Sequence, residues 1–280
     1  MTDRPIRIAA QLHPQHGEYH HLRRTVDWVE DLGFDLLYTW DHFFPLYGER
    51  DGPHFECWSM LAAWAEQTSR VEIGALVTCN SYRNPDLLAD MARTIDHISN
   101  GRLVFGIGSG WFRRDYTEYG YDFGTKGSRL DRLAASLPRI KARWEKLNPA
   151  PLRSLPVLVA GGGLRKTLRI VAEHADSWHG GFPEDPSEME PKIDALRRWC
   201  DEVGRDPSEI EWGLGVEPED LDRFLRDDAP RYVEMGFTQF TLGFNGPGWN
   251  LEPARDWLAW RDSQIATKQP SSPRRALPRF

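Results

Sequence analysis

Cysteine is scarce in this chain. There are three among 280 residues, Cys57, Cys79 and Cys200, and no two have C-x-x-C spacing. They read as reduced thiols of a cytosolic protein. No stretch approaches 18 consecutive apolar residues, so no transmembrane helix is expected. The first residues, Met1-Thr2-Asp3-Arg4-Pro5, lack the apolar core of a signal peptide. An excess of positive charge is also missing. The net charge of −7 argues against a nucleic-acid or anionic-membrane surface. No internal repeat or dividing linker is visible. What is present is a hydrophobic content of 40%, enough for a globular core, and 12 tryptophans, several at predicted strand ends or in loops.

The pattern along the chain is an alternation of short apolar runs with amphipathic helices. Strands are expected over residues 6–12, 36–40, 71–78, 103–107, 157–160, 177–179, 210–216 and 238–242. Between and after them lie helical patterns. The clearest places Leu130, Leu133, Leu137, Ile140, Trp144 and Leu147 at spacings of 3 and 4, with Pro138 inside. A helix over residues 219–234 carries a break at Pro230, and a last helix covers residues 253–266. Residues 267–280, with Pro-Ser-Ser-Pro-Arg-Arg, read as a disordered tail. Eight strands alternating with eight helices is the pattern of a single-domain (β/α)8 TIM barrel over residues 1–266. A doubly wound open sheet is the alternative. No G-x-G-x-x-G follows the first strand, which argues against its dinucleotide-binding version.

Polar residues just after each strand are the site candidates, because barrel active sites lie at the C-terminal strand ends. Gly161-Gly162-Gly163 follows the strand at residues 157–160, and Arg165, Lys166 and Thr167 begin a helix expected over residues 164–175. Two cations at a helix N-terminus make sense around an anion, and glycines let backbone N–H groups approach a phosphate. Asp41-His42 follows the second strand, where an imidazole can hydrogen-bond a heterocycle or exchange a proton near neutral pH. Thr78, Ser109, Trp111, Trp178, His179 and Asn245 hold comparable positions. His13, His16, His20 and His21 carry metal-like spacings but sit in a glycine-containing loop with no cysteine or acidic ligand cluster beside them, so no metal site is assigned. Arg113-Arg114-Asp115 and Asp227-Asp228 read as solvated loop charges.

Four stretches together carry a resemblance. They are Asp41-His42-Phe43, residues 78–85 (TCNSYRNP), residues 101–111 (GRLVFGIGSGW) and residues 161–169 (GGGLRKTLR). In this order they resemble the luciferase-like oxidoreductases, most closely the branch that uses the deazaflavin coenzyme F420. The family fold is a (β/α)8 barrel, which agrees with the strand count. The resemblance implies that Asp41 and His42 meet the deazaflavin ring, with His42 near the reacting carbon. It implies a non-proline cis peptide near Ala75-Leu76 backing the ring, and Thr78 at the ring edge. Ser109 and Gly110 would line the ribityl chain, and Gly161, Gly162, Gly163 and Thr167, with Lys166, would take the phosphate. The implied chemistry is hydride transfer between the deazaflavin and a small organic substrate, with a proton handled by His42, in a cytoplasmic homodimer.

The chain departs from some relatives in three places. The link between Leu147 and Val157 is short, Leu46 stands where a sugar-phosphate-oxidising branch has a tryptophan, and Phe112 falls where that branch has an acid. A sugar phosphate is therefore not predicted. Three alternatives remain at this level: an FMN-dependent monooxygenase of the same family, a metal-dependent barrel hydrolase using the His-rich loop and Asp41, and a barrel that holds a cofactor without catalysis.

Overall fold

The computed structural model describes residues 4–268. Nine strand segments form one all-parallel sheet closed into a barrel. They are β1 (Arg7–Leu12), β2 (Leu36–Thr39), β3 (Glu72–Ala75), β4 (Thr78–Cys79), β5 (Leu103–Gly108), β6 (Val157–Ala160), β7 (Ser177–His179), β8 (Glu211–Val216) and β9 (Gln239–Phe244). β1 lies between β2 and β9, and the order runs round through β8, β7, β6 and β5. The ring closes because β5 pairs with both β3 (Ile73 with Leu103) and β4 (Thr78 with Ile107). β3 and β4 thus share one of eight barrel positions, and the fold is the expected (β/α)8 TIM barrel.

The strand that sequence reads as continuous over residues 71–78 is interrupted at Leu76–Val77, whose peptide bond is cis. The bulge is the feature expected from the resemblance, one residue later than Ala75-Leu76. Small residues accommodate it. A Cβ on Gly106 of β5 would stand 1.9 Å from the Ala75 carbonyl oxygen, and one on Gly108 would stand 2.7 Å from a Val77 methyl.

The helices that wrap the barrel follow their local signals. α1 (Tyr19–Leu32) ends at Gly33 in the left-handed region. α2 (Cys57–Gln67) is capped by Glu56, and α3 (Pro85–Ile98) by Asn84, whose side chain accepts from the Asp86 N–H at 2.9 Å. A short α4 (Arg113–Tyr119) stands where Arg113-Arg114-Asp115 were expected in a loop. Its signals were an acid in the first turn, Asp115, and a left-handed Gly120 at the end. α5 (Lys126–Trp144) begins with a Thr125–Ser128 capping box and keeps Pro138 inside. Its Leu133, Leu137 and Ile140 are fully buried, each worth about 1.5–3 kcal/mol by transfer.

α6 (Thr167–His174) starts three residues later than expected. α7 (Glu190–Val203) follows a 3-10 turn at Pro186–Glu188. The helix expected over residues 219–234 is two, α8 (Leu221–Asp227) and α9 (Ala229–Met235), which meet at Asp228 just before Pro230. α10 (Ala254–Lys268) runs two residues into the tail expected from residue 267, and the rest of that expected tail, 269–280, lies outside the described residues.

The N-terminal end of the barrel is closed by charge. Arg7 of β1 donates to Glu72 of β3 at 2.7 Å and pairs with Glu211 of β8. The C-terminal end is left to the loops.

Candidate active site

At that open end lies a cavity of about 340 Å³, within the range of small-molecule sites. It runs from the ends of β2 and β4 past β5 and β6 to β7. One wall is the glycine turn. Gly161, Gly162, Gly163 and Thr167 all line it. Gly161 adopts φ 121°, a conformation that only glycine takes readily. Cβ atoms here would crowd the rim: at Gly163 one would lie 2.7 Å from the Thr167 hydroxyl, and at Gly162 one would lie 3.4 Å from Lys192 Nζ. α6 begins at this turn without any side-chain cap. Of its first backbone N–H groups, that of Leu168 donates to the Gly163 carbonyl at 3.1 Å and that of Ile170 to the Lys166 carbonyl at 3.0 Å, and the helix dipole places partial positive charge at this end. This is a wall suited to an anion.

The opposite part of the lining comes from Leu76, Val77 and Thr78 at the bulge, with Ser109, Gly110 and Trp111 after β5. Gly110 (φ 76°) brings its backbone close to Tyr116 and Cys79. A Cβ there would sit 2.0 Å from the Tyr116 hydroxyl. Two buried polar atoms on lining residues, Thr78 Oγ1 and His179 Nε2, have no protein partner. Burial pushes the Cys79 thiol up to about 11, so at neutral pH it is a neutral lining group rather than a thiolate.

His42 stands at the end of β2 between the two walls. Three aromatic rings meet its imidazole edge-on: Phe112 at 5.5 Å, Trp111 at 5.7 Å and Trp40 at 6.0 Å between centroids. Its Nδ1 lies 2.7 Å from Asp115 Oδ2 on α4. Asp115 is fully buried. The same oxygen accepts from the Tyr82 hydroxyl at 2.8 Å, and Oδ1 accepts from the Phe43 N–H at 3.1 Å. Burial pushes the Tyr82 phenol well above its ordinary range, which keeps it a donor.

Asp115 corrects the sequence reading: it is no solvated loop charge but the acid against His42. The reason is α4, which turns Asp115 inward, leaves Arg113 exposed and lays the half-buried Arg114 over the Phe44 ring at 3.9 Å.

A family model of luciferase-like monooxygenases matches residues 4–218. The chain belongs to that family. Among relatives, an F420-dependent glucose-6-phosphate dehydrogenase from Amycolatopsis mediterranei (strain U-32) is 30% identical over 173 residues, 55% of this chain and 50% of that protein. A phthiodiolone/phenolphthiodiolone dimycocerosates ketoreductase from Mycobacterium sp. (strain JLS) is 30% identical over 177 residues, 55% of this chain and 45% of the relative. The chain thus matches about half the length of these two relatives. Among solved structures, an F420-dependent secondary alcohol dehydrogenase superposes with a TM-score of 0.78 at 17% identity, covering 90% of this chain and 98% of the other. A monooxygenase from Streptomyces bottropensis gives 0.71 at 14% identity, covering 94% and 100%. Both show the shared barrel.

Within this luciferase-like barrel most of the expected residues meet at one cavity: Asp41, His42, Leu76, Thr78, Ser109, Gly110, the three glycines and Thr167. Two do not. Ala75 faces away from it, buried in the main hydrophobic core that includes Ile73, Phe105 and Ile107. Lys166 points away and pairs with Asp131 on the surface. Lys126, unforeseen, lines the cavity instead.

Asp41 touches the cavity, but its carboxylate is engaged behind it, with Arg83 and with the Cys79 N–H at 3.0 Å. The His-rich loop disperses. His13 stacks on Trp40 and bonds Asn245 at 2.8 Å, His16 bonds the Tyr47 carbonyl, and His20 lies beside Glu18. Among the described residues no group of three or more His, Cys, Asp or Glu could hold a metal ion. None of the described helices is long and apolar enough to cross a membrane.

Proposed function

We propose that this member of the luciferase-like family is an F420-dependent oxidoreductase. It would move a hydride to or from a small organic substrate whose oxygen loses or gains a proton in the same event. The observation that carries this reading is that one cavity holds both an anion cradle, Gly161–Gly163 with Thr167, and a histidine, His42. The names of relatives that use coenzyme F420 support the choice of cofactor.

The residues fit a phosphate-bearing tricyclic group. The glycines and the uncapped start of α6 would hold its phosphate. The bulge at Leu76–Val77 would back its ring, and Thr78 Oγ1 and His179 Nε2 are unpaired polar atoms ready for its oxygens and nitrogens. When bound, coenzyme F420 supplies a carbon centre that accepts or gives a hydride. The chain supplies the rest. Trp40, Trp111 and Phe112 pack edge-on around the largely buried His42, and His42 takes the proton of a substrate hydroxyl on oxidation or returns one to a carbonyl on reduction. The proposed working form is a cytoplasmic homodimer, which sedimentation equilibrium tests for assembly.

The experiment is a binding titration with oxidised F420 and, separately, FMN, followed by absorbance. Micromolar F420 binding, with FMN about tenfold weaker (~1.4 kcal/mol), supports the proposal. Tighter FMN binding, with oxygen consumed when the flavin is reduced, would move the protein to the monooxygenase side of the family. Binding of neither would sink both.

A further inference from the structure

The hydrogen bonds around Asp115 fix more than a position. A carboxylate oxygen only accepts. Asp115 Oδ2 lies 2.7 Å from His42 Nδ1, so in the neutral ring Nδ1 must carry the proton. Nε2 is then the bare nitrogen. Among the described residues it has no hydrogen-bond partner, and His42 lines the cavity. The carboxylate cannot swing away, because the Tyr82 hydroxyl and the Phe43 N–H hold it from two further directions and none of it is exposed.

We infer that Asp115 is the positioning residue of this site. It locks His42 into the Nδ1–H tautomer and so makes Nε2 the proton acceptor that faces a substrate. This rests on the proposed role of His42 but concerns a property of the protein alone. Without Asp115 the ring could place its proton on either nitrogen, and in the Nε2–H form it has no lone pair to offer a substrate hydroxyl. The network is assembled from three separate segments. His42 follows β2, Tyr82 lies between β4 and α3, and Asp115 sits in the first turn of α4. Arg114 anchors α4 from the other side, bonding the Arg50 carbonyl and Asp51 in the loop that follows β2.

The test is long-range ¹H–¹⁵N imidazole NMR at pH 8 on the protein without cofactor. The expected signal for His42 is a protonated Nδ1 and a bare Nε2. A protonated Nε2 in the unsubstituted protein would overturn the inference with no variant needed. In Asp115→Asn the amide has one acceptor oxygen for three donors, so the proton should spread over both nitrogens. In Asp115→Glu the single tautomer should return. An unchanged His42 tautomer in Asp115→Asn would equally refute the role. The F420 titration of Asp115→Asn should stay within about threefold of the unsubstituted protein, under ~0.7 kcal/mol. A larger loss there would mean that Asp115 serves the cavity's shape rather than the proton. The NMR reading needs no cofactor, so failure of the cofactor proposal leaves it standing, and the reverse holds too.

Discussion

Arg83 grips Asp41 with two nitrogens, at 2.6 and 3.0 Å, and reaches Glu56 with the second of them at 2.6 Å. The pair ties the segment after β4 to the end of β2 and the cap of α2, behind the cavity wall. Asp41 is therefore an anchor for the loop that presents His42, not a second proton carrier. Asp41→Ala should destabilise the fold by about 1–3 kcal/mol, because the largely buried Arg83 loses two hydrogen bonds and keeps only Glu56 as its acid. A urea unfolding series reads this directly. A stability loss under 1 kcal/mol together with lost turnover would return Asp41 to the chemistry.

The anion cradle makes a sharper claim. Gly163→Ala would drive a Cβ to within 2.7 Å of the Thr167 hydroxyl and spoil the rim. Affinity for a phosphorylated cofactor should fall about tenfold, ~1.4 kcal/mol. Riboflavin, which has the same ring system as FMN but no phosphate, should bind the variant as it binds the parent protein. Equal losses for FMN and riboflavin would show that the glycines shape the ring pocket instead.

Two lysines near the rim should behave differently. Lys166 is engaged with Asp131, and both are exposed, a kind of pair worth at most about 1 kcal/mol. Lys126 lines the cavity. Lys166→Ala should leave F420 affinity within about twofold, whereas Lys126→Ala should weaken it severalfold, with the deficit shrinking at high salt. The reverse ranking would restore Lys166 to the phosphate.

The sequence alone carried the barrel and most of one cavity, because both depend on signals with short range. Alternating strand and helix patterns set the eight positions, and residues directly after strands must fall at the open end. What it missed depends on where a side chain points after a turn. Lys166 follows the glycines by three residues, but α6 starts only at Thr167, so the lysine sits at the cap and points outward. Asp115 was hidden in a charged run, Arg113-Arg114-Asp115, that looks solvated until α4 is recognised. Its left-handed cap at Gly120 was the available signal. Arg83 offered none, since its partner Asp41 lies 42 residues away.

Two histidines give the protein a predictable acid limit. His13 and His179 are buried at the ends of β1 and β7, and burial pulls them down to about 4 and about 3. In the unfolded chain both titrate near 6.5, so the unfolded state binds more protons wherever the pH lies below that value. A depressed folded-state value means the contribution is intact above pH 6.5 and is lost as the pH falls toward 4 and 3. Each histidine should give up about 2 kcal/mol between pH 7.5 and pH 5. Urea midpoints at these two pH values measure the sum together with His54, which burial likewise pulls down to about 4. His179→Gln removes one titrating ring, so its stability at pH 7.5 can drop but its acid slope should be shallower by about 2 kcal/mol over the same interval. If the slope of His179→Gln matches that of the parent, His179 titrates in the folded protein as it does in the unfolded chain, and burial does not hold its ring neutral at pH 5.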